Sequence, residues 1–147
     1  MFKNILVPTD GSELSASTVT RAIDFAKEAG ARIIFFYAQP DFPTPLYGEG
    51  ALFDPTTPEQ FSKAAAAEAE KILTRYNASA NAAGIESNGD TVVSEVPFEA
   101  IIAAAQRNGS DLIFMASHGR RGLSGLLLGS ETQKVLTHSK IPVLVYR

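Results

Sequence analysis

Short runs of large apolar residues alternate along this chain with longer segments in which apolar residues recur at helical spacing. The runs Ile5–Val7, Ile33–Tyr37 and Leu112–Met115 contain no charged residue, which is typical of parallel strands buried on both faces. Between the first two runs, the apolar residues of Val19–Ala26 have helical spacing. A strand, a helix and a second strand in close succession predict a βαβ unit with parallel strands and a right-handed crossover.

Turn and capping residues mark the remaining elements. Thr57–Gln60 has the form of a capping box, and Ser130–Gln133 repeats that form, so a helix is predicted at each, the second with Ser130 at its N-cap. The predicted strands cover residues 2–9, 33–37, 85–94, 112–115 and 141–146, and the predicted helices end near Gly30, Gly84, Gly109 and Ser139. This alternation predicts one α/β domain over residues 1–147, an open five-stranded parallel sheet with helices on both faces. The weak, polar third strand is predicted at a sheet edge.

The stretch from Gln39 to Thr57 has no regular hydrophobic period. Five of the chain's eight prolines fall in it or at its edge, together with Phe42, Tyr47 and Phe53. Connections of this length are uncommon in compact domains. The sequence leaves two interpretations open: a mobile insertion without a ligand role, or a loop whose aromatic residues fold back as a lid or contact a partner.

Composition excludes several classes of protein. A formal net charge of −3 argues against a surface that tracks nucleic-acid phosphates. The chain has no cysteine, which excludes disulfides and cysteine-based metal sites, and its two histidines, His118 and His138, are too few for a zinc site. Because no apolar run approaches the length of a membrane span or of a signal-peptide core, we expect a cytoplasmic protein without membrane insertion.

The segment after the fourth predicted strand is rich in glycine. Gly119, Gly122, Gly125 and Gly129 precede the helix predicted at Ser130. The first N–H groups of a helix have no intrahelical partner and, with the helix dipole, attract anions, while glycines let backbone approach a phosphate closely. The sequence therefore predicts a phosphate site here. No lysine stands before Ser130, so the segment is not a P-loop.

Three segments together form a recognisable pattern: Ala116-x2-Gly119-x9-Gly129-Ser130, the opening Ile5–Ser12 and the closing Ile141–Val145. They resemble the universal stress protein family, whose nucleotide-binding branch has G-x2-G-x9-G-[ST] and similar opening and closing segments. The resemblance covers the whole chain. It implies a Rossmann-like sheet of order 3-2-1-4-5, with a ligand crevice where the strand order reverses, between the first and fourth strands.

The resemblance also implies a ligand and a set of site residues. The expected ligand is ATP with Mg²⁺, with adenine near Ala38, the base and ribose beside Met115 and Ala116, and the phosphates on backbone groups at the start of the last helix. The expected nucleotide-binding residues are Pro8, Thr9, Asp10, Ala38, Met115, Ala116, His118, Gly119, Arg120, Gly129, Ser130, Glu131 and Thr132. A homodimer through the C-terminal strand 141–147 and an unidentified protein partner are implied as well.

Some residue roles remain open at this point. Asp10 can contact ribose or a magnesium-bound water, or it can serve only as a turn residue that bonds its own backbone. Ala116 replaces the family's first glycine, which costs about 1–2 kcal/mol if the position needs positive φ, and little if it is extended. Glu131 stands where the family usually has an apolar residue, and its carboxylate either turns outward or weakens phosphate binding.

No catalytic residue emerges from the sequence. No serine or cysteine nucleophile has an evident paired acid and base, so His118 is assigned a binding or bracing role. The sequence favours a nucleotide-sensitive dimeric regulator of the stress response. The alternatives are a dimeric scaffold that has lost its nucleotide, or a slow ATPase.

Overall fold

The computed structural model describes residues 1–43, 56–118 and 128–147. Its elements are, in chain order, β1 (Asn4–Pro8), α1 (Glu13–Ala29), β2 (Arg32–Gln39), α2 (Pro58–Ala82), β3 (Ser87–Val93), α3 (Pro97–Arg107), β4 (Leu112–Ala116), α4 (Ser130–His138) and β5 (Val143–Tyr146). The predicted alternation of strands and helices is confirmed. Most of the proline-rich stretch and of the glycine-rich segment lies outside the described residues, and with it the site residues Gly119 and Arg120.

The strands form one parallel sheet in the order β3-β2-β1-β4-β5, as the family resemblance implied. In the centre, Leu6 pairs with Ile34 of β2 on one side and with Ile113 of β4 on the other. The polar strand β3 lies at one edge, as predicted, and β5 lies at the other. Strand order therefore reverses between β1 and β4.

Side chains of successive strand residues enter two separate cores. On β1, Ile5 and Val7 pack with residues of α1 and α2, whereas Leu6 packs with residues of α3 and α4. This follows from the period of two along a strand, which sends neighbouring side chains to opposite faces. Ile5, Leu6 and Val7 are all fully buried, which explains why the run has no polar residue. The helices cover both faces of the sheet, as predicted.

The signals for helix ends were correct for the first two helices. Helix α1 ends at Gly30, which adopts a left-handed φ of 64° that a glycine takes without steric cost. Helix α2 begins with the predicted capping box, in which the Thr57 hydroxyl accepts from the Gln60 N–H and the Gln60 side chain accepts from the Thr57 N–H. None of the helices within the described residues is long and apolar enough to span a membrane.

The prediction that Ser130 is the N-cap of the last helix is wrong. The N-cap is Gly129, because its carbonyl oxygen accepts the first helical hydrogen bond, at 3.0 Å from the Gln133 nitrogen. Ser130 is the first helical residue and makes no capping hydrogen bond. The Gln133 side chain reaches back to the carbonyl of Leu128 at 2.9 Å instead of completing a capping box.

Candidate functional site

A crevice of about 760 Å³ opens beyond the carboxyl ends of β1 and β4. The chain leaves β1 for α1 on one face of the sheet, and α4 packs on the opposite face, so the connections diverge and leave space between them. The predicted site residues that the structure describes all line this crevice, namely Pro8, Thr9, Asp10, Ala38, Met115, Ala116, His118, Gly129, Ser130, Glu131 and Thr132. The structure thus brings them together, although they come from distant parts of the chain.

At the end of β1, hydroxyl groups fix the turn that carries Asp10. The buried hydroxyls of Thr9 and Ser15 lie 2.5 Å apart, and the Asp10 N–H donates to the Ser15 oxygen at 3.2 Å. The Ser12 N–H donates to Oδ1 of Asp10 at 2.9 Å, which is the turn role that the sequence allowed. This bond holds the carboxylate at the wall of the crevice, so the turn role and a ligand role are compatible.

Ala116 ends β4 in an extended conformation. No non-glycine residue in the described part of the chain has a positive φ, so the alanine does not carry the strain that the sequence left possible. Its carbonyl oxygen accepts a hydrogen bond from Oγ1 of the buried Thr132 at 3.0 Å. This bond ties the first turn of α4 to the end of β4.

Gly129 is required by a close approach of two backbone segments. A Cβ atom at this position would lie 2.9 Å from Cα of His118 and 3.1 Å from its Cβ. The Gly129 N–H also donates to the carbonyl of Ser117 at 2.8 Å. Since φ of Gly129 is −60°, the residue is needed for space and not for its conformational freedom.

The N-terminus of α4 lies at the crevice. Its first turn consists of Ser130, Glu131 and Thr132, which all line the crevice. Backbone N–H groups of a first turn have no carbonyl partner within the helix and carry the positive end of the helix dipole. His118, with Nδ1 3.0 Å from the Ser117 hydroxyl, lines the same region. The arrangement is suited to binding an anionic group.

Glu131 has a structural role that the sequence analysis missed. Its Oε2 accepts from the Phe98 N–H at 2.9 Å, and its Oε1 lies 3.4 Å from Nζ of Lys134. Phe98 is in the first turn of α3, whose N-cap residue Val96 provides no side-chain hydrogen bond. The carboxylate of α4 therefore caps α3. The apolar Val96 was the available signal, because it predicts that α3 needs a cap from elsewhere.

Further crevice residues follow the carboxyl ends of β2 and β3. They include Pro40, Asp41, Ser94 and Glu95. Their position directly after two parallel strands could have predicted this placement, because the carboxyl ends of all parallel strands lie on the same side of the sheet. They add Asp41 and Glu95 to the carboxylates of Asp10 and Glu131.

The described crevice lining is predominantly acidic. Four lining residues carry carboxylates, and none of the described lining residues is a lysine or arginine. No group of three or more histidine, cysteine, aspartate or glutamate side chains in the described ranges is placed to hold a metal ion. The described residues alone therefore do not supply a complete set of protein ligands for a divalent cation.

Comparison with known proteins gives the same family over the whole chain. The sequence model of the universal stress protein family matches residues 1–147. Universal stress protein MJ0531 of Methanocaldococcus jannaschii is 30% identical over 148 residues, which cover 100% of this chain and 83% of that protein. A universal stress protein of Thermus aquaticus is 30% identical over 147 residues and 100% of both chains.

Solved structures are similar over nearly the full length. Protein MJ0577 of Methanocaldococcus jannaschii matches with a TM-score of 0.79 and 27% identity, over 99% of this chain and 95% of that one. A universal stress protein crystallised in complex with cAMP matches with a TM-score of 0.71 and 28% identity, over 99% and 97% of the two chains. With its sheet order, its crevice and a family match from the first residue to the last, the chain belongs to the universal stress protein family.

Proposed function

We propose that this chain binds an adenine nucleotide, ATP together with Mg²⁺, in the crevice between β1 and β4, and that it acts as a nucleotide-sensitive regulator in the stress response. The observation that supports the proposal is that two backbone segments line the same crevice. One is the first turn of the helix α4, and the other is the end of the strand β2. A similar family member crystallised with cAMP supports an adenine ligand.

The phosphate groups would lie against the first turn of α4. The N–H groups of Ser130, Glu131 and Thr132 offer donors without helical partners, and the helix dipole favours negative charge there. Gly129 presents no side chain between this turn and His118. These features fit the negative charge and the hydrogen-bond acceptors of a phosphate.

We assign magnesium to the crevice as part of the nucleotide complex. The described residues contain no cluster of three ligands, but Mg²⁺ commonly keeps several waters and binds through one or two carboxylates plus substrate phosphates. Asp10 is the residue we assign to hold the hydrated ion, because its carboxylate is fixed at the crevice wall. When bound, the ion neutralises part of the phosphate charge.

Backbone groups at the end of β2 can form hydrogen bonds with the adenine base. The Arg32 N–H donates to the carbonyl of Lys3, just before β1, and the Phe36 carbonyl accepts from the Thr9 N–H, just after β1. Alternate residues of β2 therefore direct their backbone N–H and C=O groups toward β1. By this period, the N–H and C=O of Ala38 point the same way. Pairing between β1 and β2 ends at Pro8↔Phe36, so these two groups lie beyond the paired part of β1 and face the crevice.

We therefore expect the chain to bind ATP about thirtyfold more tightly than GTP. Adenine presents an amino donor beside a ring-nitrogen acceptor, which suits the C=O and N–H of Ala38, whereas guanine presents these functions in reversed order. Two lost hydrogen bonds at about 1 kcal/mol each give this ratio. Calorimetric titrations with both nucleotides in Mg²⁺ measure it.

Inosine triphosphate is the matched control for the base-reading prediction. It has the reversed edge of guanine but lacks the extra amino group, so it should bind as weakly as GTP if Ala38 reads the edge. Equal affinities for ATP, GTP and inosine triphosphate would contradict base recognition at this position.

We also infer a homodimer through the C-terminal strand. β5 is an edge strand with partly buried apolar side chains, and it pairs with β4 on one side. The Pro142 carbonyl accepts from Ile113 of β4, and the Tyr146 carbonyl accepts from Ser117, which follows β4. By the strand period, the N–H of Val145 therefore points to the open side. An edge of this kind favours pairing with a second copy.

Val145→Pro is expected to convert the dimer to a monomer without unfolding it. Proline removes the outward N–H and is tolerated on an edge strand whose N–H faces away from the sheet. Sedimentation velocity measures the change, and Val145→Thr, which keeps the N–H, should remain dimeric. A monomeric unaltered chain, or a dimeric proline variant, would contradict pairing through β5.

A further inference from the structure

The position of Glu131 sets it apart from the other crevice carboxylates. It lies in the first turn of α4, where the proposed phosphate site is, and both of its oxygens have partners. The side chain is 38% exposed, so the charge is within reach of solvent and of a ligand. Its bond to the Phe98 N–H supplies the side-chain cap that Val96 does not give to α3.

The hydrogen bond to the Phe98 N–H restricts the position of the Glu131 carboxylate. If the carboxylate swung away from the crevice, the Phe98 N–H would lose its partner, and a half-buried donor without a partner is costly. Lys134 offsets part of the charge, but its ammonium group also contacts the Phe98 ring, with Nζ 5.5 Å from the ring centre, and it does not line the crevice. A ligand phosphate at α4 must therefore approach a carboxylate that is held in place.

The neighbouring charges act in the same direction. Asp41 and Glu95, which follow the carboxyl ends of β2 and β3, also line the crevice and add negative charge to it. Repulsion between charges grows with the product of the charges and falls with distance, so it penalises a ligand in proportion to its uncompensated phosphate charge. The helix dipole attracts an anion in proportion to the same ligand charge, so by itself it favours the more highly charged ligand and acts in the opposite direction to Glu131.

We propose that Glu131 is a specificity-determining residue that makes the crevice select adenine nucleotides of low net negative charge. The favoured class comprises a magnesium-complexed triphosphate and a singly charged cyclic nucleotide, and the disfavoured class is the metal-free triphosphate. This inference rests on the proposed nucleotide site. The Glu131 side chain then has two linked roles: it caps α3, and its charge disfavours highly charged ligands at the first turn of α4.

The test compares the unaltered chain with Glu131→Gln in calorimetric titrations. Glutamine keeps an oxygen that can accept from the Phe98 N–H and has nearly the same volume, but it removes the charge. The ligands are metal-free ATP in a chelating buffer, Mg-ATP and cAMP. We expect Glu131→Gln to tighten metal-free ATP roughly tenfold and to change cAMP by less than about twofold, because the repulsion scales with ligand charge.

Two further variants separate the charge from the cap. Glu59→Gln makes the same change in net charge in the first turn of α2, away from the crevice, and should leave all three affinities unchanged. Glu131→Ala removes both charge and cap, so it should lower the thermal midpoint by several degrees, whereas Glu131→Gln should lower it much less.

The possible outcomes distinguish this inference from the proposed function. If the unaltered chain binds none of the three ligands, the nucleotide site and the inference both fail. If it binds them, but Glu131→Gln changes all three affinities equally or not at all, only the charge selection is overturned. An equal effect of Glu59→Gln would overturn it as well, since the effect would then come from the total charge.

Discussion

We expect that replacing Gly129 with alanine will lower the affinity for Mg-ATP by at least about tenfold and destabilise the fold by about 1–3 kcal/mol, the usual range for overpacking. The added Cβ would lie 2.9 Å from Cα of His118, a backbone atom that no side-chain rotation can move away. The start of α4 or the chain at His118 must therefore shift. Either shift displaces the first-turn N–H groups from the crevice. Calorimetry and chemical denaturation measure the two effects.

Ser130→Ala is the matched control for the Gly129 variant. Ser130 is exposed and makes no capping hydrogen bond, so the free energy of unfolding should change by less than about 0.5 kcal/mol. Because the proposed contacts use backbone N–H groups, its Mg-ATP affinity should stay within about threefold of the unaltered chain, less than the loss of one typical hydrogen bond. Unchanged Mg-ATP affinity in Gly129→Ala would contradict a phosphate site at this turn.

Replacing Phe35 with alanine is expected to lower the free energy of unfolding by about 3–5 kcal/mol. Phe35 is fully buried on β2, and its ring centre lies 5.7 Å from that of Tyr76 on α2. The substitution removes one of the contacts between the sheet and α2 and leaves a cavity that the surroundings fill only in part. Denaturant titration of both chains measures the difference.

Val93→Ala provides the comparison for the Phe35 variant. Val93 ends the edge strand β3 and is 53% exposed, so its truncation should cost less than about 0.5 kcal/mol. A cost below about 1 kcal/mol for Phe35→Ala would fall outside the range for buried aromatic residues and would contradict the two-core arrangement.

The architecture was predictable because its signals are local. Unbroken apolar runs such as Ile33–Tyr37 predict strands covered on both faces, and the structure places those side chains alternately in the two cores. Gly30 and the Thr57 capping box predicted helix ends that the structure confirms. The strand order was not local information. It came from the resemblance, since periodicity alone does not say which strands are neighbours.

The errors and omissions concern contacts between distant segments. Ser130 has the sequence form of an N-cap, but Gly129 takes that position: its carbonyl accepts the first helical hydrogen bond, and its N–H donates to the distant Ser117 carbonyl. The bond between Glu131 and Phe98 joins residues 33 positions apart and could not be read from either segment alone. The strain at Ala116 was likewise undecidable until its extended conformation was known.

Several residues with predicted roles are not described by the structure. Gly119 and Arg120 lie outside the described residues, and so do Tyr47 and Phe53, on which the interpretation of the proline-rich stretch depends. The described end of that stretch contributes Pro40 and Asp41 to the crevice wall. Its assignment as a lid, a partner surface or a mobile insertion stays open.

The main proposal for this chain is an adenine nucleotide bound at the end of β2 and the first turn of α4. The most direct test is to follow the backbone amide resonances of the isotope-labelled chain during titration with Mg-ATP. We predict saturable shifts at Ala38 and at residues 130–132. We predict no change at Gly30, Gly84 and Gly109, whose turns precede β2, β3 and β4 and therefore lie at the amino ends of the strands, away from the crevice. No saturable shift in the first turn of α4, or shifts centred on those three glycines, would contradict the claim.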